Sequence, residues 1–168
     1  MILTKNAILR EIRARQIVIR PFDRSAVGSA SIDLTLGDTI RVFDATQSVV
    51  ELAADVDPKR YSKKTSIKGG YILRPGEFVL GMTVETITLP PTICGWLQSR
   101  SRFARIGFMS HVAAPFICPG VSNRQVLEIY NVSNHNILLK PGIKVCQLIF
   151  QRCEGAAVYR GKFKRQTL

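Results

Sequence analysis

From Gly70 onward the sequence is a series of short strand-like runs cut at close intervals by turn residues, and this pattern constrains the fold more than any other feature. The runs are Tyr71-Ile-Leu73, Phe78–Glu85, Ile93–Leu97, Val126–Tyr130, Asn136–Leu139 and Lys144–Phe150. Two of the breaks are Pro-Gly turns, Arg74-Pro-Gly76 and Lys140-Pro-Gly142. In such turns proline presets φ and glycine takes the left-handed position. Short strands at this spacing predict a mainly β fold: a β-sandwich, jelly roll or distorted barrel, with sites where loops from different strands converge.

The first third of the chain adds a helix and more strands. Ala7, Ile8 and Ile12 recur at helical spacing behind Thr4, a candidate N-cap, which predicts a short helix over Lys5–Ala14. Gln16–Arg20 reads as a strand stopped by Pro21, and Asp23–Ala30 as a small-residue loop. Ser31–Gly37 alternates polar and apolar residues as a half-buried strand does, and Thr39–Phe43 continues as another. Asp44–Lys68 is the least regular part: Asp44, Glu51, Asp55 and Asp57 give way to Lys59, Arg60, Lys63 and Lys64. A long surface excursion with few fixed contacts is expected there. With no internal repeat and no low-complexity linker, one domain over residues 1–168 is the economical organisation.

Charge then narrows the partners. Lys and Arg number 24 against 12 Asp and Glu, a net +12, which points to nucleotides, nucleic acid or an acidic membrane surface. No apolar run is long enough to span a bilayer, and Lys5, Arg10 and Glu11 break up the N-terminus, so no membrane partner and a cytoplasmic location are expected. Cys94, Cys118, Cys146 and Cys153 include no C-x-x-C pair, so free thiols are expected and a zinc site is not. Cys94 and Cys146 sit in apolar runs and read as core. No Walker-type loop and no G-x-G-x-x-G occurs.

Two stretches carry chemistry. Arg100-Ser-Arg-Phe-Ala-Arg105 places three arginines and a serine within six residues. Clustered guanidiniums on a short turn suit a polyanion, each offering paired planar donors to phosphate oxygens. Gln125-Val-Leu-Glu-Ile-Tyr-Asn131 follows, with Glu128 alone in an otherwise apolar strand pattern. A carboxylate in an apolar setting suits proton transfer near neutral pH. Together these outline a nucleotide-modifying site; they also fit a surface turn and a strand with one outward Glu, and composition does not separate the two.

The order and spacing of five segments resemble the dCTP deaminase family, within the superfamily shared with trimeric dUTPases. Ser31-Ile-Asp-Leu-Thr-Leu-Gly37 resembles the first shared motif. Leu97-Gln-Ser-Arg-Ser-Arg-Phe-Ala-Arg-Ile-Gly107 resembles R-S-S-L-A-R-L-G. His111-Val-Ala-Ala-Pro-Phe-Ile-Cys-Pro-Gly120 resembles H-V-T-A-x-x-I-D-P-G, and Gln125–Asn131 resembles V-L-E-x-x-N. Tyr159-Arg-Gly-Lys-Phe-Lys-Arg-Gln166 resembles the tail Y-x-G-K-Y-x-x-Q. The resemblance covers nearly the whole chain. It implies a dUTPase-like distorted barrel or jelly roll, assembled as a homotrimer with sites at subunit boundaries. It also implies conversion of dCTP to dUTP and ammonia without zinc. The H-x-E and P-C-x-x-C constellation of zinc deaminases is indeed missing from the sequence.

Carried over residue by residue, Glu128 is implied as general acid and base. Ser101 and Arg105, with the Ala114 carbonyl, are implied to position water and stabilise charge. The turn Arg100, Ser101, Arg102, Phe103, Ala104 and Arg105 is implied to bind substrate. The backbone of Val126 and Leu127 is implied to read the pyrimidine. Arg100, Tyr159, Lys162 and Gln166 are implied to hold a triphosphate carrying Mg²⁺, with the tail closing over it and dTTP as an inhibitor. His111 reads as structural, Trp96 as packing under the site, Asp33 as support for the subunit interface or sugar pocket, and His135 as solvated.

Two departures from the family pattern matter most, beside the smaller change of Phe163 for Tyr and the more apolar Pro115 and Phe116. Arg102 puts a cation where the family has a small residue. Cys118 stands where deaminases and dUTPases carry an Asp on the sugar side of the site; in dUTPases that Asp orients the hydrolytic water. A thiol cannot replace its charge, which argues against pyrophosphohydrolase or bifunctional activity. A catalytically altered relative that binds nucleotide or nucleic acid is the remaining alternative. The +12 charge favours it, and the scarcity of aromatics near the basic clusters weighs against single-strand binding.

Overall fold

In the computed structural model, residues 1–43 and 49–168 are described, the last with the side chains of Lys162 and Arg165 excepted. Helix α1 spans Lys5–Arg13 and turns Ile8 and Leu9 inward. Thr4 occupies the N-cap position with extended backbone, but its side chain makes no capping hydrogen bond. The strands that follow are β1 (Val18–Arg20), β2 (Ile32–Thr35), β3 (Thr39–Phe43), β4 (Ser62–Ser66), β5 (Tyr71–Leu73), β6 (Phe78–Thr88) and β7 (Ile93–Ser99). A one-turn helix α2 (Ser101–Ala104) leads to β8 (Phe108–Met109), β9 (Phe116–Ile117), β10 (Ser122–Asn131), β11 (Ile137–Leu139) and β12 (Lys144–Arg152).

The strands form two main sheets, with order β4-β3-β6-β10-β8 in one and β2-β12-β7-β9 in the other; β1 also joins β6, and β5 pairs with β11. The described strand pairs are all antiparallel. Alternation places the core between the sheets. Leu127 and Ile129 of β10, Leu148 and Phe150 of β12, and Ile32 and Leu34 of β2 are almost wholly buried. Each such side chain contributes about 1.5–3 kcal/mol relative to an exposed one. Gly76 and Gly142, at φ +74 and +81, take the left-handed corner of the two Pro-Gly turns.

The predicted irregular excursion needs correction. Residues 44–48 lie outside the described part and residues 49–55 are exposed and irregular as expected, but the stretch from Asp57 onward is firmly held. Asp57 caps a short 3-10 turn over Pro58–Tyr61 by accepting from the Lys59 N–H, and β4 then pairs with β3 along its whole length. Ser62 is buried and Ile67 fully so. Charge dominated the reading of this segment, yet Ser62, Thr65 and Ile67 supply enough inward positions for an edge strand. Its exposed Lys63 and Lys64 suit an edge that must not recruit further strands.

Candidate active site

Period-two alternation along β10 sets the site. With Leu127 and Ile129 in the core, Val126, Glu128 and Tyr130 fall on the opposite face and stay half-buried. The β10–β6 register slips between Arg124 and Val126, a bulge at Gln125, whose N–H turns to Thr83 Oγ1 at 2.9 Å. Bulges re-aim side chains beside functional sites. Here the bulge lets Asn123 and Gln125 line the same cleft as Val126 and Glu128.

That cleft has a volume of about 640 Å³, within the ordinary range for a small-molecule site. β10 forms its floor, and the loop carrying His111, Ala114, Phe116 and Cys118 forms one wall. The opposite wall is Val56–Lys59 with Arg41 and Phe43 of β3, and the C-terminal tail supplies Tyr159, Phe163 and Gln166 through Leu168. Trp96 packs its ring on Phe116 at 4.9 Å and donates to Gln151 Oε1, so it does support the wall from below.

Glu128 lines a largely apolar cleft, as its sequence setting suggests, but its carboxylate is not left without partners. Its Oε2 accepts the Ala113 N–H at 2.6 Å and the Ala114 N–H at 3.3 Å. Two such bonds to one oxygen fix the orientation of the carboxylate. Ala114 thus meets Glu128 through its N–H. The His111 side chain is buried, and its Nδ1 accepts the Glu128 backbone N–H at 3.4 Å.

The tail is seated rather than frayed. Asn123 Nδ2 donates to the Phe163 and Lys164 carbonyls at 3.0 and 3.3 Å, and Gln166 Nε2 donates to the Arg124 carbonyl at 2.9 Å. Phe163 N–H donates to the Tyr159 hydroxyl. Lys59 reaches Thr167 Oγ1, joining the tail to the segment that precedes β4.

The arginine turn lies elsewhere in the chain. None of Arg100, Ser101, Arg102, Phe103, Ala104 or Arg105 lines the Glu128 cleft. Arg100 pairs with Asp33 at 3.0 Å and donates to the Lys144 carbonyl, so Asp33 anchors this turn. Phe103 packs edge-on against Phe108 and carries the Arg100 guanidinium over its ring at 6.0 Å. Ser101, Arg102, Ala104 and Arg105 are exposed. Leu127 is fully buried and does not line the cleft, whereas Val126 and Cys118 do.

Arg41, Asn123, Gln125 and Asp57–Lys59 escaped sequence reasoning. One signal was available: Asn123 and Gln125 occupy inward positions of a strand, where polar side chains need partners, and Gln125 donates to Asn123 at 2.6 Å. Arg41 is buried and held by Ser62 Oγ and the Ser62 and Lys59 carbonyls.

Among solved structures the fold is similar to 2'-deoxycytidine 5'-triphosphate deaminase from Agrobacterium tumefaciens, with TM-score 0.69 and 22% identity over 91% of this chain. The chain spans about half of that protein, 48% of its length. A mutant dUTPase from phage phi11 of S. aureus gives TM-score 0.52 at 13% identity, covering 87% of this chain and 96% of that one. The architecture is therefore dUTPase-like. A family profile described as dCTP deaminase-like matches residues 2–153, and the chain belongs to that family. A protein named "dCTP deaminase, dUMP-forming" from Salinispora tropica is 36% identical over 179 residues, covering 99% of this chain and 91% of the relative. One of the same name from Mycolicibacterium smegmatis is 37% identical, covering 94% and 84%.

Proposed function

We propose that the protein deaminates dCTP hydrolytically, with Glu128 as general acid and base, and that dUTP and ammonia are the products. The observation that carries this reading is Glu128 itself, its Oε2 pinned by two backbone N–H groups at the floor of a nucleotide-sized cleft, in a chain of the dCTP deaminase-like family. Glu128 takes a proton from water as the water oxygen bonds to cytosine C4. The proton passes to the exocyclic nitrogen, the C4–N bond breaks, and ammonia leaves.

Ser101 and Arg105 are exposed on α2 and away from the cleft, so in this proposal they enter the cleft of a neighbouring copy within a homotrimer. There they orient the water and stabilise the charge that builds at C4. The Ala114 carbonyl assists, and the backbone of Val126 and Leu127 reads the pyrimidine edge. Tyr159, Lys162 and Gln166 of the tail, with Arg100, hold the triphosphate. Mg²⁺ enters as part of the nucleotide, since phosphate oxygens hold it well. Among the described residues no cluster of three or more His, Cys, Asp or Glu is arranged to hold an ion. The same pocket would take dTTP as a competitor. Closure of the tail excludes water and strengthens each charged contact.

A second reading concerns the product. The relatives at 36% and 37% identity are named dUMP-forming, so in them loss of pyrophosphate accompanies deamination. Cys118, on the cleft wall, offers no charge to activate a water at the phosphates, which favours dUTP here. Incubating the protein with dCTP and Mg²⁺ and separating the products by chromatography decides between the two. dUTP is expected, dUMP would establish the relatives' reaction, and unchanged dCTP would overturn both. Glu128→Gln is expected to lose on the order of 10²–10⁴ in rate with an unchanged melting temperature. Normal deamination by that variant would remove Glu128 from the mechanism.

A further inference from the structure

One side chain reaches both the backbone and the carboxylate of Glu128. His111 accepts the Glu128 N–H at Nδ1, 3.4 Å away, and its Nε2 lies 3.8 Å from Glu128 Oε2. Its side chain is 4% exposed. An imidazole that accepts at Nδ1 carries its proton at Nε2 in the neutral form. That Nε2 is buried and has no hydrogen-bond partner among the described residues. Buried donors are nearly always satisfied, and an exception calls for a reason. The acceptor within reach is Oε2, and the gap exceeds hydrogen-bond length by less than about an ångström.

All the contacts described for the Glu128 carboxylate converge on the same oxygen. Oε2 takes the Ala113 and Ala114 N–H groups and faces His111 Nε2. A carboxylate whose one oxygen is saturated by donors has its remaining basicity on the other. It also cannot rotate without giving up those bonds. The direction in which the carboxylate can accept a proton is thereby fixed.

We propose that His111 is the positioning residue of Glu128. A small turn of the His111 ring closes the Nε2–H to Oε2 bond when nucleotide fills the cleft, while the Glu128 carboxylate stays on its two backbone N–H groups, and Oε1 becomes the oxygen that takes the proton of water and delivers it to the leaving nitrogen. His111 donates a hydrogen bond throughout and exchanges no proton with the substrate. This rests on the dCTP deaminase reading, and it adds what that reading lacks: a reason for a nearly inaccessible histidine on the cleft wall to leave a donor idle. A histidine serving the strand alone would need Nδ1, already bonded to the backbone, and would gain nothing from Nε2.

Two substitutions separate the ring nitrogens. His111→Asn can keep an acceptor near Nδ1 but has nothing at Nε2, whereas His111→Gln can place an amide N–H near Nε2. His111→Asn is expected to lower kcat for dCTP by about tenfold to a hundredfold with KM within about threefold of native. His111→Gln is expected to recover most of that loss, with the melting temperatures of both variants serving as the control for folding. Native kcat in His111→Asn, or a Gln variant no better than the Asn variant, would overturn the proposal.

A second readout needs no substrate. The chain has two histidines, so nitrogen NMR of the labelled protein resolves two imidazoles, and the signal lost in His111→Asn identifies His111. The Nε2–H tautomer is expected, and the Nδ1–H tautomer would overturn the proposal whatever the activity. Native protein that leaves dCTP intact would instead sink the deaminase reading, so the two failures are told apart.

Discussion

The Glu128 cleft is assembled within one chain. A bulged strand, a wall loop, the segment before β4 and the tail are tied together by Asn123, Gln166 and Lys59. The α2 turn is anchored as well, by Arg100 on Asp33 and Phe103 on Phe108, but Ser101 and Arg105, the side chains proposed to act in catalysis, are exposed. Neither lines the Glu128 cleft of its own chain. One region is a pocket with its acid in place; the other is a rigid platform of hydroxyl and guanidinium groups. The difference teaches that the proposed chemistry needs two copies of the chain, each lending its platform to the other's pocket.

Subunit mixing is the sharpest way to break that comparison, and it carries the largest expected effect. Glu128→Gln and Arg105→Ala proteins should each retain about 1% of native deamination or less. Co-expressed with different tags and purified as mixed oligomers, the two should regain activity. In a closed trimeric ring containing both variants, about one site in three receives an intact Glu128 from one copy and an intact Arg105 from the next. Mixed oligomers no more active than the single variants would mean that cleft and platform belong to one chain, or that the platform has no part in catalysis.

The tail provides the next test, because it belongs to the cleft and not to the platform. A Cβ on Gly161 would overlap the Tyr159 hydroxyl and ring. Gly161 has an ordinary φ of −77, so the cost of Gly161→Ala is this contact and not backbone strain. The substitution should lift Tyr159 and the residues after it off the cleft while α2 stays in place. KM for dCTP is expected to rise about tenfold with kcat changed less than about threefold, the pattern for loss of uniform binding. A fall in kcat at constant KM would mean that the tail shapes the reacting end rather than the phosphates.

The strands were legible because alternation and Pro-Gly turns are local signals, and the register in β10 that sends Leu127 inward and Glu128 outward follows from them. The separation of cleft and platform was implied by the family resemblance, with its sites at subunit boundaries, but was not legible in the residues themselves. Arg100–Arg105 and Glu128 lie close in sequence and read as one site, but the strand pairing that sets α2 apart from the cleft floor is non-local. The hydrogen-bond partners of Glu128 were not legible for a related reason. Its sequence neighbours are apolar, but its actual partners are the Ala113 and Ala114 N–H groups, brought in from a loop. In 44–68, charge hid β4, since the paired backbone of an edge strand leaves little trace in composition.

The thiols offer the smallest effect and a direct probe of where nucleotide lies. Cys118 lines the cleft and is partly exposed, whereas Cys94 is buried. Burial, and next the neighbouring Cys153 thiol, push Cys94 up to about 11. The thiolate is the species that alkylates. At about pH 8, Cys94 therefore stays protonated and unreactive, and its labelling climbs only as the pH rises towards that value. A maleimide should mark Cys118 ahead of Cys94, and saturating dCTP with Mg²⁺ should slow the Cys118 reaction by about threefold to tenfold while leaving Cys94 unaffected. The platform carries no cysteine, so protection at Cys118 reports occupancy of the cleft alone. If dCTP binds but leaves Cys118 as reactive as before, the sugar side of the nucleotide does not lie against this wall. The argument that Cys118 decides between dUTP and dUMP would then fail with it.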